Sequence, residues 1–368
     1  MKAMLLALRQ NPLLCLLVFV PLLFILNAAK PDAHALLFVL SILAIVPLAS
    51  LLSRATESVA EKTGDAVGGL LNASLGNLTE LIIALTALKA GQYLLVKSMI
   101  VGAIVGNSLF MLGACFLVGG LKYRLQEFNR ANARMQAAML FLATVALLAP
   151  SAYANADASP VINRFLSDLS LGLSVLLIAA YALGLLFSLG THRELFAAEQ
   201  HADSAEGHEE PWPMGVALAM LAGVTVVVAL VSEIFVESLQ AAAESFGMTP
   251  AFVGFVVVAL VGAAAEIFAA ISGARKNRLD LSVGIALGSA SQIALFVAPV
   301  LVLLSYFIGP TPMNLQFWPG AIVMMLFAAL TTSLVTSSGR SAWYLGVMML
   351  VVYVVFAMTL FLLPPQGA

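Results

Sequence analysis

Gly76-Asn77-Leu78-Thr79-Glu80 and Gly262-Ala263-Ala264-Ala265-Glu266 are the stretches on which the fold of this chain turns. They superimpose without a gap at an offset of 186 residues (266 − 80). At that offset Gly102 falls on Gly288, and Leu109-Phe110 falls on Leu295-Phe296. Each copy sets a lone carboxylate in an apolar run. A duplicated half with a buried acid in each copy is the pattern of a secondary transporter built from internal repeats.

The surrounding composition sets the class. Of 368 residues, 62% are hydrophobic and 10% charged, and the mean hydropathy is +1.03. Soluble domains carry about 25% charge, so this chain is expected to be an all-α integral membrane protein. A net charge of −2 and the lack of a basic domain argue against a nucleic-acid partner. Cys15 and Cys115 lie in apolar runs without zinc or disulfide spacing.

A span needs about 20 apolar residues. About eleven are read, over 4–27, 34–53, 57–90, 94–119, 134–153, 165–190, 213–238, 249–274, 280–308, 315–337 and 341–363. The first is read as a retained span rather than a cleaved leader. The third and eighth are rich in glycine, and a glycine-broken helix is tolerated at membrane depth where its freed backbone lines a cavity.

Alternating the loops between two sides puts Lys2, Arg9, Arg54, Lys62, Lys122, Arg124, Arg130, Arg134, Arg193, Arg275, Lys276, Arg278 and Arg340 with the N-terminus. Only Lys30, Lys89, Lys97 and Arg164 fall opposite. That bias predicts a cytoplasmic N-terminus and an external C-terminus. The expected organisation is an N-terminal helix (1–30), a five-helix repeat (31–190), an acidic, histidine-bearing cytoplasmic linker (191–212) and a second five-helix repeat (213–368). Five is odd, so the repeats would be inverted, with the two motifs facing each other.

Glu80 and Glu266 are the leading candidates for binding cation and protons, and the expected metal ligands. A carboxylate at membrane depth is costly unless paired, solvated or protonated. Two acids close together repel, so the pair holds protons readily, and a divalent cation could displace them. Hard oxygen ligands suit calcium. Such competition is the core of an antiporter. Neutral oxygens that could complete the cage are Asn77, Thr79, Asn107, Ser108, Ser289, Ser291 and Gln292, with Asn72 a weaker candidate. Each could equally serve a helix–helix hydrogen bond.

Other acids are candidates for cation access: Glu57 and Glu61, spaced four apart with Asp65 at the cytoplasmic start of the third span, and Glu233 and Glu237 near the outer face. The linker residues Glu199, His201, Asp203, Glu206, His208, Glu209 and Glu210 could sense cations or pH, or simply solvate a connector; spacing does not decide.

On these residues a resemblance can be named. Gly76-Asn77-Leu78-Thr79-Glu80-Leu81-Ile82-Ile83-Ala84-Leu85, with Gly68-Gly69-Leu70-Leu71-Asn72-Ala73 before it and Asn107 after, resembles the first signature of the CAX-type calcium/proton exchangers of the calcium/cation antiporter superfamily. Residues 281–296, around Gly288-Ser289-Ala290-Ser291-Gln292, look like the second. The resemblance spans essentially the whole chain. It implies export of calcium in exchange for protons by alternating access, with Glu80 and Glu266 as ion ligands and Asn107 and Gln292 beside them. The family usually reads Gly-Asn-Ala-Ala-Glu-His in the second half, so an amide is missing at Ala263 and an imidazole at Ile267. That leaves another cation (sodium, potassium or manganese) open.

No cofactor is expected, calcium being the cargo, and the partners are calcium, protons and the lipid bilayer, with a homo-oligomer left open. A cation channel is a distant alternative, because the symmetry lies within one chain rather than across subunits. An enzyme or nucleotide-driven pump lacks a supporting motif. The expected location is a bacterial inner membrane.

Overall fold

The computed structural model describes residues 12–63, 65–153, 160–191 and 212–362; side chains 12, 13, 65, 66 and 73 are excepted. The linker candidates between Glu199 and Glu210 therefore lie outside the described residues.

The chain is helical. After a 3-10 stretch (Pro12–Val18) come α1 (Phe19–Ala29), α2 (His34–Lys62), α3 (Asp65–Leu75), α4 (Leu78–Lys89), α5 (Tyr93–Tyr123), α6 (Arg130–Ser151) and α7 (Pro160–Thr191). The second half holds α8 (Met214–Ser245), α9 (Pro250–Gly262), α10 (Ala264–Arg275), α11 (Leu279–Ile308), α12 (Pro319–Thr336) and α13 (Trp343–Leu362). Among the described residues, 8 helices are long and apolar enough to cross a membrane, and 9 if the pair α9–α10, bent by 62°, counts as one. The two remaining sequence-read spans are the first, whose described part is the apolar helix Leu14–Ala29, and the third, which splits at Gly76-Asn77 into two short helices.

Two boundaries differ from the sequence reading. Helix α2 runs on to Lys62, so Glu57 and Glu61 sit on its last turns rather than at the start of the third span. Nothing between residues 53 and 62 breaks a helix, and the polar turns simply extend beyond the apolar ones. The tenth span begins at Pro319, since Pro at a helix start fixes φ and needs no donor. Among the described residues there is also one antiparallel ribbon, β1 (Leu125–Glu127) with β2 (Arg340–Ala342), pinned by an Arg340–Glu127 ion pair at 2.9 Å.

The halves interlock reciprocally. The first helices of each half, α2 and α8, pack along each other, and α4 lies on α8 as α10 lies on α2. Likewise α5 packs on α12 and α13, as α11 packs on α6 and α7. Small residues permit the closest crossings: at Gly102 any side chain would overlap the backbone of Phe255 in α9.

The loops gather at two ends. At one, Lys122 and Tyr123 donate to Arg275 O, Gln126 donates to Ala274 O and Asn277 Oδ1, the Asn129 amide donates to Asp280, and Trp212 N donates to Ser58 Oγ while Arg54 lies over the Trp212 ring. At the other, Lys89 pairs with Glu233 and Gln92 donates to Val236 O. Alternating spans would produce the same partition.

Residues 309–318 form a strap across this second end. Its alternate amides donate to hydroxyls from four helices: Thr311 to Tyr93 (2.8 Å), Met313 to Ser305 (2.8 Å), Leu315 to Ser170 (3.0 Å) and Phe317 to Ser151 (2.9 Å). Lys97 donates to Asn314 Oδ1 and Gln316 O, both at 2.7 Å. Met313, Leu315 and Phe317 are buried beneath it.

Candidate cation-binding site

The two motifs form matched helix breaks. Leu75 ends α3 and Leu78 starts α4; Gly262 ends α9 and Ala264 starts α10. Glu80 lies in the first turn of α4 and Glu266 in the first turn of α10. Both acids thus stand at the positive end of a half-helix, where unpaired N–H groups favour negative charge.

Gly262 is needed for close approach of the two halves. A Cβ on Gly262 would lie 3.0 Å from Glu80 Cγ and 3.6 Å from its Oε1. A Cβ on Gly76 would lie 3.7 Å from Gln292 Oε1. Each break therefore receives a polar side chain from the opposite half, and Glu80 is close enough to Glu266 for their charges to interact.

A hydrogen-bond relay crosses between them. Asn107 Nδ2 donates to Ser289 Oγ (2.8 Å), and Ser289 Oγ donates to Asn77 Oδ1 (2.7 Å). The Glu266 carboxyl lies beside Ser289. Glu80 Oε1, Glu266 Oε2, Asn77 Nδ2 and Gln292 Nε2 are buried without a hydrogen-bond partner in the protein. Buried polar atoms are nearly always satisfied, so two acceptors and two donors left over at one place mark a site built for something else, whether cation, proton or water.

A cavity of about 440 Å³ reaches this place from the end carrying Ser58 and Trp212. Glu57 and Ser53 line its outer part, and Glu266, Ser289, Ser291 and Gln292 its depth. Behind, Glu80 borders a void of only about 10 Å³ walled by Ala84, Met99, Ile100 and Leu301. That is at the limit of what one water needs. The site is thus open toward one end of the molecule and shut toward the other.

The structure brings together Glu80, Glu266, Asn77, Asn107, Ser289 and Gln292. Thr79 is buried beside Glu80 but outside the relay. Ser108 turns away, donating to Ile104 O (2.6 Å), while its carbonyl accepts from Thr332. Ser291 lines the cavity, but its hydroxyl is spent on Gln136 O (3.1 Å). Of the access candidates, Glu57 lines the cavity, accepting from Ser53 (3.1 Å), and Glu61 is exposed beyond it. Glu233 is exposed and paired with Lys89 at 3.1 Å, and Glu237 is exposed too; neither lines the cavity. Asp280 lies in the first turn of α11 and accepts from the backbone amide of Asn129, the cap of α6. Gln136 in α6 lines the cavity and was not singled out from the sequence; its only sequence signal is a lone amide within an apolar span. No cluster of three or more His, Cys, Asp or Glu occurs among the described residues, so a cation here would rest on two carboxylates and amide or hydroxyl oxygens.

Comparison with known proteins agrees with this architecture. The family described as sodium/calcium exchanger protein matches residues 33–190 and 216–362. A Ca(2+)/H(+) antiporter of Aphanothece halophytica is 39% identical over 360 residues, covering 95% of this chain and 96% of its own length. The Ca(2+)/H(+) antiporter ChaA of Bacillus subtilis (strain 168) is 42% identical over 330 residues, covering 89% of this chain and 93% of its own. The solved structure of native YfkE superposes with a TM-score of 0.81 at 37% identity, over 95% of this chain and 100% of that one. With the family model matching both halves and relatives about 40% identical over nearly the whole chain, this chain belongs to the sodium/calcium exchanger family.

Proposed function

We propose that this protein exchanges calcium for protons across a membrane by alternating access, with Glu80 and Glu266 as the shared binding pair. The observation that carries the reading is the meeting of two acids, one from each break, Glu80 buried and Glu266 half-buried against the cavity, each with a buried, unpartnered oxygen. Left doubly charged and empty, the pair would be costly in an apolar interior. Two protons or one divalent cation relieve that cost equally, so the two cargoes exclude each other. The names of both curated relatives support calcium and protons as those cargoes.

The remaining cage would be Asn77, Asn107, Ser289 and Gln292, with Thr79, Ser108 and Ser291 behind it. The open end, which holds Arg54, Lys122, Arg275 and Arg340, is the cytoplasmic one by its positive charge. The cavity then describes a state ready to take calcium from the cytoplasm. Residues 31–190 and 213–368 act as inverted repeats in a bacterial inner membrane, joined by a cytoplasmic linker. No catalysis is assigned to the chain. A second reading, another cation on the same scaffold, draws on Ala263 and Ile267, which supply no ligand to the second half of the cage.

Radiolabelled calcium uptake into everted vesicles under an imposed pH gradient tests the proposal. Proton-driven uptake that disappears in both Glu80→Gln and Glu266→Gln supports it. Active wild-type vesicles that take up another cation but no calcium would move the assignment to the second reading.

A further inference from the structure

We propose that Gln136 is a cargo-binding residue, its side-chain oxygen serving as a neutral ligand for a divalent cation between the open end of the cavity and Glu266. The inference rests on the antiporter reading above and adds to it a residue outside both motifs.

Three observations meet at this side chain. First, its orientation is fixed. Gln136 Nε2 donates to Asn132 Oδ1 at 3.0 Å, one helical turn earlier, and the backbone N–H of Asn132 donates to the Asn129 cap at 3.2 Å. With the nitrogen committed along its own helix, the oxygen must face away from it. Second, that oxygen is buried and accepts no hydrogen bond from the protein. Third, it looks across at α11 in the cavity. A Cβ on Gly288 would lie 3.4 Å from Gln136 Oε1, and Gln136, Gly288, Ser289, Gln292 and Glu266 line the same space. The Ser291 hydroxyl, donating to Gln136 O, holds the two helices at this separation.

A brace between turns of α6 would account for the nitrogen and leave the oxygen unexplained. An amide oxygen is a ligand that calcium accepts. Being neutral, it can replace part of the hydration shell without holding the ion too tightly to move on. Gly288 matters for the same reason: a Cβ there would stand 3.4 Å from the oxygen, on its cavity side.

The test is the concentration dependence of calcium uptake in everted vesicles under a fixed pH gradient, comparing wild type with Gln136→Met, Gln136→Glu and Gly288→Ala. Methionine keeps the length and loses the oxygen; the calcium KM should rise about tenfold with the maximal rate within about twofold of wild type. Glutamate keeps an oxygen at the same reach, and its KM should be at or below that of wild type. Gly288→Ala sets a methyl before the oxygen and should raise KM several-fold with Gln136 intact. A wild-type KM in Gln136→Met would overturn the assignment, as would a joint fall in rate and affinity that glutamate does not restore. Should the methionine variant fail to reach the membrane, a wild-type KM in Gly288→Ala overturns it instead. Wild-type vesicles without proton-driven calcium uptake would remove the antiporter reading and this one with it, whereas uptake with an unmoved KM removes only the role of Gln136.

Discussion

Asn77 and Ala263 occupy the same place in the two halves, and their backbones agree: φ −96° and ψ 31° for the first, φ −80° and ψ 6° for the second. Their side chains do not. Asn77 closes the relay through Ser289 to Asn107, whereas the counterparts of those three residues are Ala263, Ala103 and Ile293. The break is therefore a property of the backbone and its glycine, and the amide is an addition made on one side only. Packing differs in the same sense. Gly102 is pressed against Phe255, while its counterpart Gly288 faces the cavity. Glu80 stands behind an almost closed void, and Glu266 lines the open space. Two halves of one design are caught in unlike environments, and exchanging those environments is what an inverted repeat needs to expose one site to two sides.

The comparison can be broken at several points, and the acids come first. If both halves supply the site equally, Glu80→Gln and Glu266→Gln should each reduce calcium transport by at least about 100-fold, despite their unequal exposure. A variant retaining substantial uptake would confine the site to one half.

Next in size is the packing contrast. Gly102→Ala should destabilise the protein by several kcal/mol, on the order of other overpacked cores, and be seen as loss of monodisperse protein on heating in detergent. Gly288→Ala should keep a near wild-type melting temperature. Equal destabilisation would mean that the second half is as tightly packed as the first.

The relay sharpens the comparison further. Asn77→Ala leaves the Ser289 hydroxyl without its acceptor, at a cost of about 1–3 kcal/mol. The calcium KM measured in vesicles should then rise about tenfold. Ala263→Asn should shift it by less than about threefold, since that half has no relay to complete. Acid should act like a competitor: lowering the pH on the calcium-loading side adds protons to the pair, so the apparent calcium KM rises and the maximal rate at saturating calcium is spared. A KM independent of pH would uncouple the two cargoes. The smallest effect is expected at the surface, where Glu233→Gln breaks the exposed pair with Lys89. It should cost less than about 1 kcal/mol and leave uptake unchanged.

Much of this was legible in the residues. Apolar runs of bilayer length placed the helices because hydrocarbon leaves the backbone no other partner. Glycine runs placed the breaks, and two lone acids, one in each half, pointed to the candidate site. The faces of α5 and α11 were not legible. Residues 106–111 and 293–297 are π-helical, and a wider turn shifts every later side chain off the 3.6-residue period. Asn107 therefore points at Ser289 while Ser108 turns back on its own helix. Gln136 escaped for another reason: its chemistry arises only where α6 meets α11, a pairing between halves that no local pattern encodes. The α2 overrun past residue 53 shows the converse, a polar turn that stays helical because nothing stops it.

The strap over residues 309–318 has a practical corollary. Surface loops are where insertions are usually tolerated, yet four amides of this one are claimed by four different helices and its apolar side chains point inward. It has no slack. An epitope or fluorescent tag placed there would pull α5, α6, α7 and α11 apart at once, so this connection is the wrong place to engineer a handle into the protein.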